Sequence, residues 1–131
     1  MAHGTIITER EGVPIITNSF CRGFMLRVVH PQNPKAPSES LAVTVFYLHP
    51  GGVLEPHHHV AEEVYVILEG EGKGHFGLGK PVDIRKGMYI YLPSDCEHGI
   101  ENTGDEILKV LCAMSPPNPS FPEWKSKRPQ D

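Results

Sequence analysis

The chain is predicted to be all-β, a single-domain antiparallel jelly-roll β-barrel, and three observations lead there. Its 13 glycines and 13 prolines are spread between short apolar runs, the punctuation that many turns and short strands require. Those runs, about ten of them, are rich in β-branched and aromatic residues, and none keeps a helical period beyond a turn or two. With 131 residues there is chain enough for one sizeable core and too little for two. The organisation follows: residues 1–40 supply N-terminal strands and a proline-rich loop of the same domain, 41–114 the barrel core, and 115–131 a proline-rich tail.

The first strands are read at Ile15 and Ile16, after Pro14, and at Phe24 to Val29, after Gly23. Between Pro31 and Ser38 three prolines punctuate a loop that is either disordered or laid over a barrel mouth. His30 has no neighbour at ligand spacing and is read as a surface residue. Leu41 to Leu48, LAVTVFYL, is the longest β-type run; Ala42, Thr44, Phe46 and Leu48 share one face, Val43, Val45 and Tyr47 the other. Both faces are apolar, as expected of a strand between a core and an interface. His49 precedes a turn at Pro50, Gly51 and Gly52.

Chemistry enters directly after that turn. His57, His58, His59, Glu62 and Glu63 stand ahead of the apolar run Val64 to Leu68. Strand alternation puts His57 and His59 on one side and His58 on the other. After a short bend at Val60 and Ala61, the same alternation places Glu63, Tyr65 and Ile67 together. Two imidazoles and a carboxylate that converge are costly to bury unless a cation compensates them, and this donor set suits a first-row divalent metal. A second stretch, GMYIYLPSDCEHGIEN from Gly87 to Asn102, puts a turn at Pro93, Ser94 and Asp95 after a short strand and delivers His98 onto the next one. Within it Met88, Ile90 and Leu92 share one face and Tyr89 and Tyr91 the other. Ile100 follows the parity of His98, and Asn102 closes the turn into Thr103 and Gly104.

The anchors Gly51, His57, His59, Glu63 and Gly70, followed by Gly87, Pro93, Asp95, His98 and Asn102, stand at the spacings of two conserved segments, and the chain resembles the cupin superfamily across roughly Leu41 to Met114. Asp95 departs from the pattern, which usually has glycine there; aspartate tolerates a left-handed turn better than most residues. The resemblance implies a small β-barrel holding one divalent transition metal per chain on His57, His59, Glu63 and His98. It also implies that Thr44 and Phe46 look into the barrel, beside Ile67 and Ile100, as pocket residues. Entry strands in this superfamily often pair with a partner subunit, and a homodimer is expected. Three imidazoles and one carboxylate leave two positions of an octahedral ion open; iron, manganese and nickel fit, and zinc and copper are possible.

A resemblance of this kind does not name a reaction. The first reading is an enzyme acting on a small oxygenated organic molecule, either as a dioxygenase or by metal-assisted isomerase, decarboxylase or lyase chemistry. Tyr65 is then the nearest general-base candidate on the inward face, against the plainer reading of a core tyrosine. The second reading is a non-catalytic small-molecule-binding or sensing module, supported by the lack of any Arg or Lys at a position that strand parity assigns to the pocket.

The remaining features bound these readings. A net charge of −4, with 12 basic and 16 acidic residues and no long run of either sign, speaks against a nucleic-acid or anionic-membrane partner. MAHGTIITEREG lacks the apolar centre of a secretory signal, and the three cysteines, Cys21, Cys96 and Cys112, form no CxxC pair; a cytoplasmic protein is expected. Cys96 is read as a turn residue or a group supporting His98, and His75 as solvent-facing or core-edge. Glu106 to Met114 supplies the closing strand. In the tail, Phe121 and Trp124 either anchor the chain on the barrel or on a partner subunit or leave it mobile.

Overall fold

A computed structural model describes residues 2–16 and 18–117. Nine strands form one curled antiparallel sheet: β1 Val13–Ile15, β2 Phe20–Val29, β3 Ala42–His57, β4 Glu62–Glu69, β5 Glu71–His75, β6 Val82–Arg85, β7 Tyr89–Leu92, β8 His98–Glu101 and β9 Leu108–Ser115. Their order along the sheet is β6-β5-β8-β3-β9-β4-β7, with β2 also paired to β3 and β1 to β2. A single 3-10 turn, Glu9–Glu11, precedes them. The all-β jelly-roll expectation holds.

β3 makes the barrel, and it differs from the expected strand and turn. Instead of stopping at Leu48, it runs 16 residues through Pro50, Gly51 and Gly52. Its first half pairs with β2 and β9, and its second half pairs with β8 and the start of β2. The bend between the halves rests on Gly51, whose φ of 81° lies in the left-handed region, and on Gly52, where a side chain would start 2.7 Å from the Arg22 carbonyl oxygen. The hairpin read there is therefore a corner within one strand.

Alternation sets the core. Ala42, Thr44, Phe46 and Leu48 are buried; Phe46 and Leu48 meet Tyr65, Ile67, Leu108, Val110 and Cys112 from the strands alongside, while Ala42 packs with Ala61 and Met114 in a smaller cluster. Phe20, Leu54, Phe76, Ile84, Leu92 and Ile100 complete the main cluster. Each large side chain removed from water in this way contributes about 1.5–3 kcal/mol. On β7 the alternation is also as read, with Tyr89 and Tyr91 exposed and Leu92 buried.

The entry region differs from expectation at His30. β1 pairs with β2 of its own chain, Val13 opposite Arg27 and Ile15 opposite Met25. The loop after β2 is a built structure. Asn33, 1% exposed, donates Nδ2 to the carbonyls of Glu11, Arg27 and Val28 at 3.2, 3.2 and 2.7 Å, while its Oδ1 accepts from Lys35 N. His30 is correspondingly not a surface residue: it is 2% exposed, held under this loop by backbone bonds to Asn33 and Ala36. The tail residues Phe121 and Trp124 lie outside the described residues.

Candidate metal centre

Two adjoining segments carry the chemistry. His57 ends β3 directly opposite His98, which begins β8, so the sheet register itself brings these imidazoles together, ring centroids 4.3 Å apart. His58 to Ala61 leave the strand, and the His59 carbonyl accepts from Asp95 N at 2.8 Å, which ties the first segment to the second. Asp95 has φ 63°, the left-handed turn anticipated for it. The outcome keeps the parity by a different route: His59 is turned inward by the loop, with its ring 5.0 Å from that of His98, while the His58 side chain is 65% exposed and lies 3.7 Å from Asp95. Glu63, on β4 between β9 and β7, reaches in from the third side. Its Oε1 stands 3.3 Å from His59 Nε2 and 3.1 Å from His98 Nε2.

The tautomers are determined by the backbone. Each Nδ1 faces a main-chain carbonyl: His57 that of Glu55 at 2.8 Å, His59 that of Ala61 at 3.0 Å, and His98 that of Cys96 at 2.8 Å. Because a carbonyl only accepts, Nδ1 carries the proton and Nε2 presents a lone pair. His59 Nε2, His98 Nε2 and Glu63 Oε1 are all buried without a hydrogen-bond partner. Lone pairs thus face lone pairs across about 3 Å, an arrangement that is unfavourable unless a proton or a cation sits between them. Ligand atoms of His57, His59 and His98 all lie within 4.8 Å of one another. Neighbouring ligands on a metal with bonds of about 2.1 Å are separated by about 3 Å, so the donor set fits a divalent ion. Backbone carbonyls behind ligating imidazoles are also the usual orienting groups of such sites.

Electrostatics divides the donors: His57 stays neutral, whereas Glu63 and His59 favour a positive charge held between them. Burial, reinforced by the charge of His98, pushes the His57 pKa down to about 4. Burial pulls the Glu63 carboxyl upward, but positive charge at the adjacent His59 and His98 outweighs it and holds the pKa below the ordinary range. For His59, burial acts downward and is exceeded by Glu63, so its pKa is raised.

Phe46, assigned to the pocket, and Tyr65, the general-base candidate, line the narrow cavity beside His57, His59 and Glu63. Thr44, Ile67 and Ile100 are buried in the barrel but do not border that cavity. Tyr65 packs edge-on against Phe46 and His98 at 5.6 Å each. Burial, and then the Glu63 charge, raise its hydroxyl pKa well above the ordinary value. The Cys96 carbonyl orients His98, while its thiol lies 3.5 Å from the Phe76 carbonyl. His75 is exposed.

The sequence reading assigns none of the lining residues Phe20, Met25, Arg27, Leu54 and Cys112 to the pocket, and Arg27 is the charged one. Arg27, 2% exposed, borders the same cavity with Met25. The expectation of a pocket without Arg or Lys is therefore corrected. The available signal is a lone charge inside the apolar run Phe24 to Val29, on the parity of Met25 and opposite Thr44.

Residues 44–114 match the family model described as Cupin domain, more than half of the chain. The chain belongs to the cupin family. An uncharacterized protein of Methanocaldococcus jannaschii is 36% identical to this cupin over 114 residues, 86% of this chain and 87% of that one. The oxalate-binding protein of Thermotoga maritima is 41% identical over 68 residues, 51% of this chain and 55% of its own. The crystal structure of a predicted oxalate decarboxylase, also from Thermotoga maritima, superposes with a TM-score of 0.72 at 28% identity, covering 85% of this chain and 98% of that one. No helix among the described residues is long and apolar enough to cross a membrane.

Proposed function

We propose that this cupin holds one divalent transition metal on His57, His59, Glu63 and His98 and is an enzyme acting on a small oxygenated organic molecule. The convergence of His59 Nε2, His98 Nε2 and Glu63 Oε1, buried and without hydrogen-bond partners, carries the reading. A bound iron, manganese or nickel ion would supply Lewis acidity or redox chemistry toward oxygen donors of a substrate, and zinc or copper would also fit the donors. The chain's own part is positional. Backbone carbonyls of Glu55, Ala61 and Cys96 hold the imidazoles in one tautomer, and Phe46, Met25 and Tyr65 give the cavity apolar walls that exclude water.

Dioxygenase chemistry and metal-assisted isomerase, decarboxylase or lyase chemistry are both compatible with this arrangement. A non-catalytic binding module is the second reading, favoured by the likeness to an oxalate-binding protein. Metal-loaded and chelated samples, incubated with keto acids, hydroxy acids, diketones and diacids with and without oxygen, distinguish them by mass spectrometry of products. Metal-dependent turnover supports the enzyme, and its dependence on oxygen separates the two chemistries. Saturable binding without turnover supports the module.

We further infer a homodimer working in the cytoplasm, where its three unpaired cysteines suit reducing conditions. Leu41, Tyr89 and Tyr91 are exposed on the outer face, beside a shallow groove of about 340 Å³ floored by Val43, Val64 and Ala113. A second copy covering this face explains its apolar character. Light scattering on wild type and Val64→Lys checks it: a dimer that dissociates with the lysine is expected, and a monomeric wild type contradicts it.

A further inference from the structure

Beside the acceptor-rich cluster, the same cavity has a wall with the opposite chemistry. Arg27 is 2% exposed, and among the described residues its guanidinium donates to the Gln32 side-chain oxygen and pairs with no carboxylate. A neutral amide does not compensate a buried guanidinium with five donors, whose desolvation costs several kcal/mol, on the order stated for a single buried ion. Three residues on, His30 accepts the Gln32 N–H at Nδ1, which puts its proton on Nε2, and that buried donor has no acceptor. The two groups are close enough for Arg27 to act on the imidazole: burial, reinforced by the Arg27 charge, takes the His30 pKa to about 4. Asn33 fixes the backbone of this region by bonding to the Arg27 and Val28 carbonyls, and the guanidinium itself is held by Gln32.

We propose that Arg27 is the anion anchor of the cavity, pairing with one carboxylate of a small organic acid whose other oxygens face the His57, His59, Glu63 and His98 cluster. This deepens the metal-centre reading and rests on it. Guanidinium and carboxylate match as two parallel hydrogen bonds, the strongest neutralisation available to a buried arginine. The free space is about 30 Å³, roughly one water's share of liquid volume, so even a short diacid requires the partly buried Met25 to move.

The test is a ligand cycle on Mn(II)-loaded protein, by calorimetry, with malonate and its monoamide malonamate against wild type and Arg27→Met. The metal's own preference for the acid appears in both proteins and cancels in the ratio. Arg27→Met is expected to lose at least about tenfold in malonate affinity and less than about twofold for malonamate, with Arg27→Lys retaining part of the preference. In the ligand-free state Arg27→Met should match or exceed the wild-type Tm, because an uncompensated buried charge is removed; an arginine with a purely structural role would lower it. Equal effects on acid and amide, or none on either, overturn the proposal. Metal uptake is measured on the same samples, and malonate is also titrated into chelated protein, where a weaker Arg27-dependent preference for the acid is expected. Failed uptake by wild type therefore counts against the metal centre, and an acid preference independent of Arg27 counts against the anchor.

Discussion

The two polar walls of the cavity are opposites. On one side Glu63 and His59, with His98 against them, present acceptors with no donor between them; on the other Arg27 lines the cavity and, with His30 outside its lining, carries donors without enough acceptors. Each would be a defect in a purely structural core, where buried polar groups are normally satisfied. Together they describe what is complementary to the cavity: a cation against the first wall and an anion against the second. They also differ in how they are built. The acceptor wall is set by short-range spacing and by backbone carbonyls two residues from each imidazole. The donor wall depends on a loop folding back over β2.

The largest effect is expected on the acceptor wall. His98→Ala should weaken divalent-metal binding by on the order of 100-fold or more, whereas His58→Ala, exposed and beside Asp95, should change it by less than about twofold, both read by calorimetric titration. Equal losses would break the distinction between inward and outward histidines. Next, Glu63→Gln should abolish metal uptake yet raise the Tm of chelated protein, since an amide N–H can donate where the carboxylate faces only lone pairs. A lower Tm in the chelated variant would contradict the lone-pair argument.

On the donor wall, Asn33→Ala leaves three carbonyls without the amide that joins them and should cost about 3 kcal/mol in denaturant unfolding, with metal affinity less affected than stability. The smallest effect concerns pH. His30 has a folded pKa of about 4 against an ordinary 6.5, so between these values the unfolded chain binds more protons and stability rises with pH, levelling above about 6.5. His57 acts in the same direction, so the readout is the difference between wild type and His30→Gln, whose stability should rise less steeply through that window. Parallel profiles would place His30 in water and undo the donor wall.

How much of this was legible follows from the same contrast. Alternation along Leu41 to Leu48 and Met88 to Leu92 separated the faces, and the cupin resemblance turned Thr44 and Phe46 inward, where both are buried, although Val45 on the other face is buried too. Cupin spacing brought His57, His59, Glu63 and His98 into one frame before any coordinates. The corner in β3 was missed because Pro50, Gly51 and Gly52 have turn composition; only the pairing of both halves shows one continuous strand. His30 and Arg27 were missed for a related reason. Their burial comes from Asn33 gathering the Glu11, Arg27 and Val28 carbonyls, and a loop assembled across more than 20 residues leaves no periodic trace in the sequence. Thr44, Ile67 and Ile100 are buried as their parity suggests but do not border the cavity, since parity assigns a face and not a lining position.

The measurement that bears most directly on the account is titration of Mn(II) or Ni(II) into chelated wild-type protein. Saturable uptake of about one ion per chain, lost in His98→Ala and retained in His58→Ala, is the predicted result. No saturable uptake by a protein that is folded by circular dichroism would mean that the lone pairs of His59, Glu63 and His98 are reconciled by protons, and the proposed metal centre would fall.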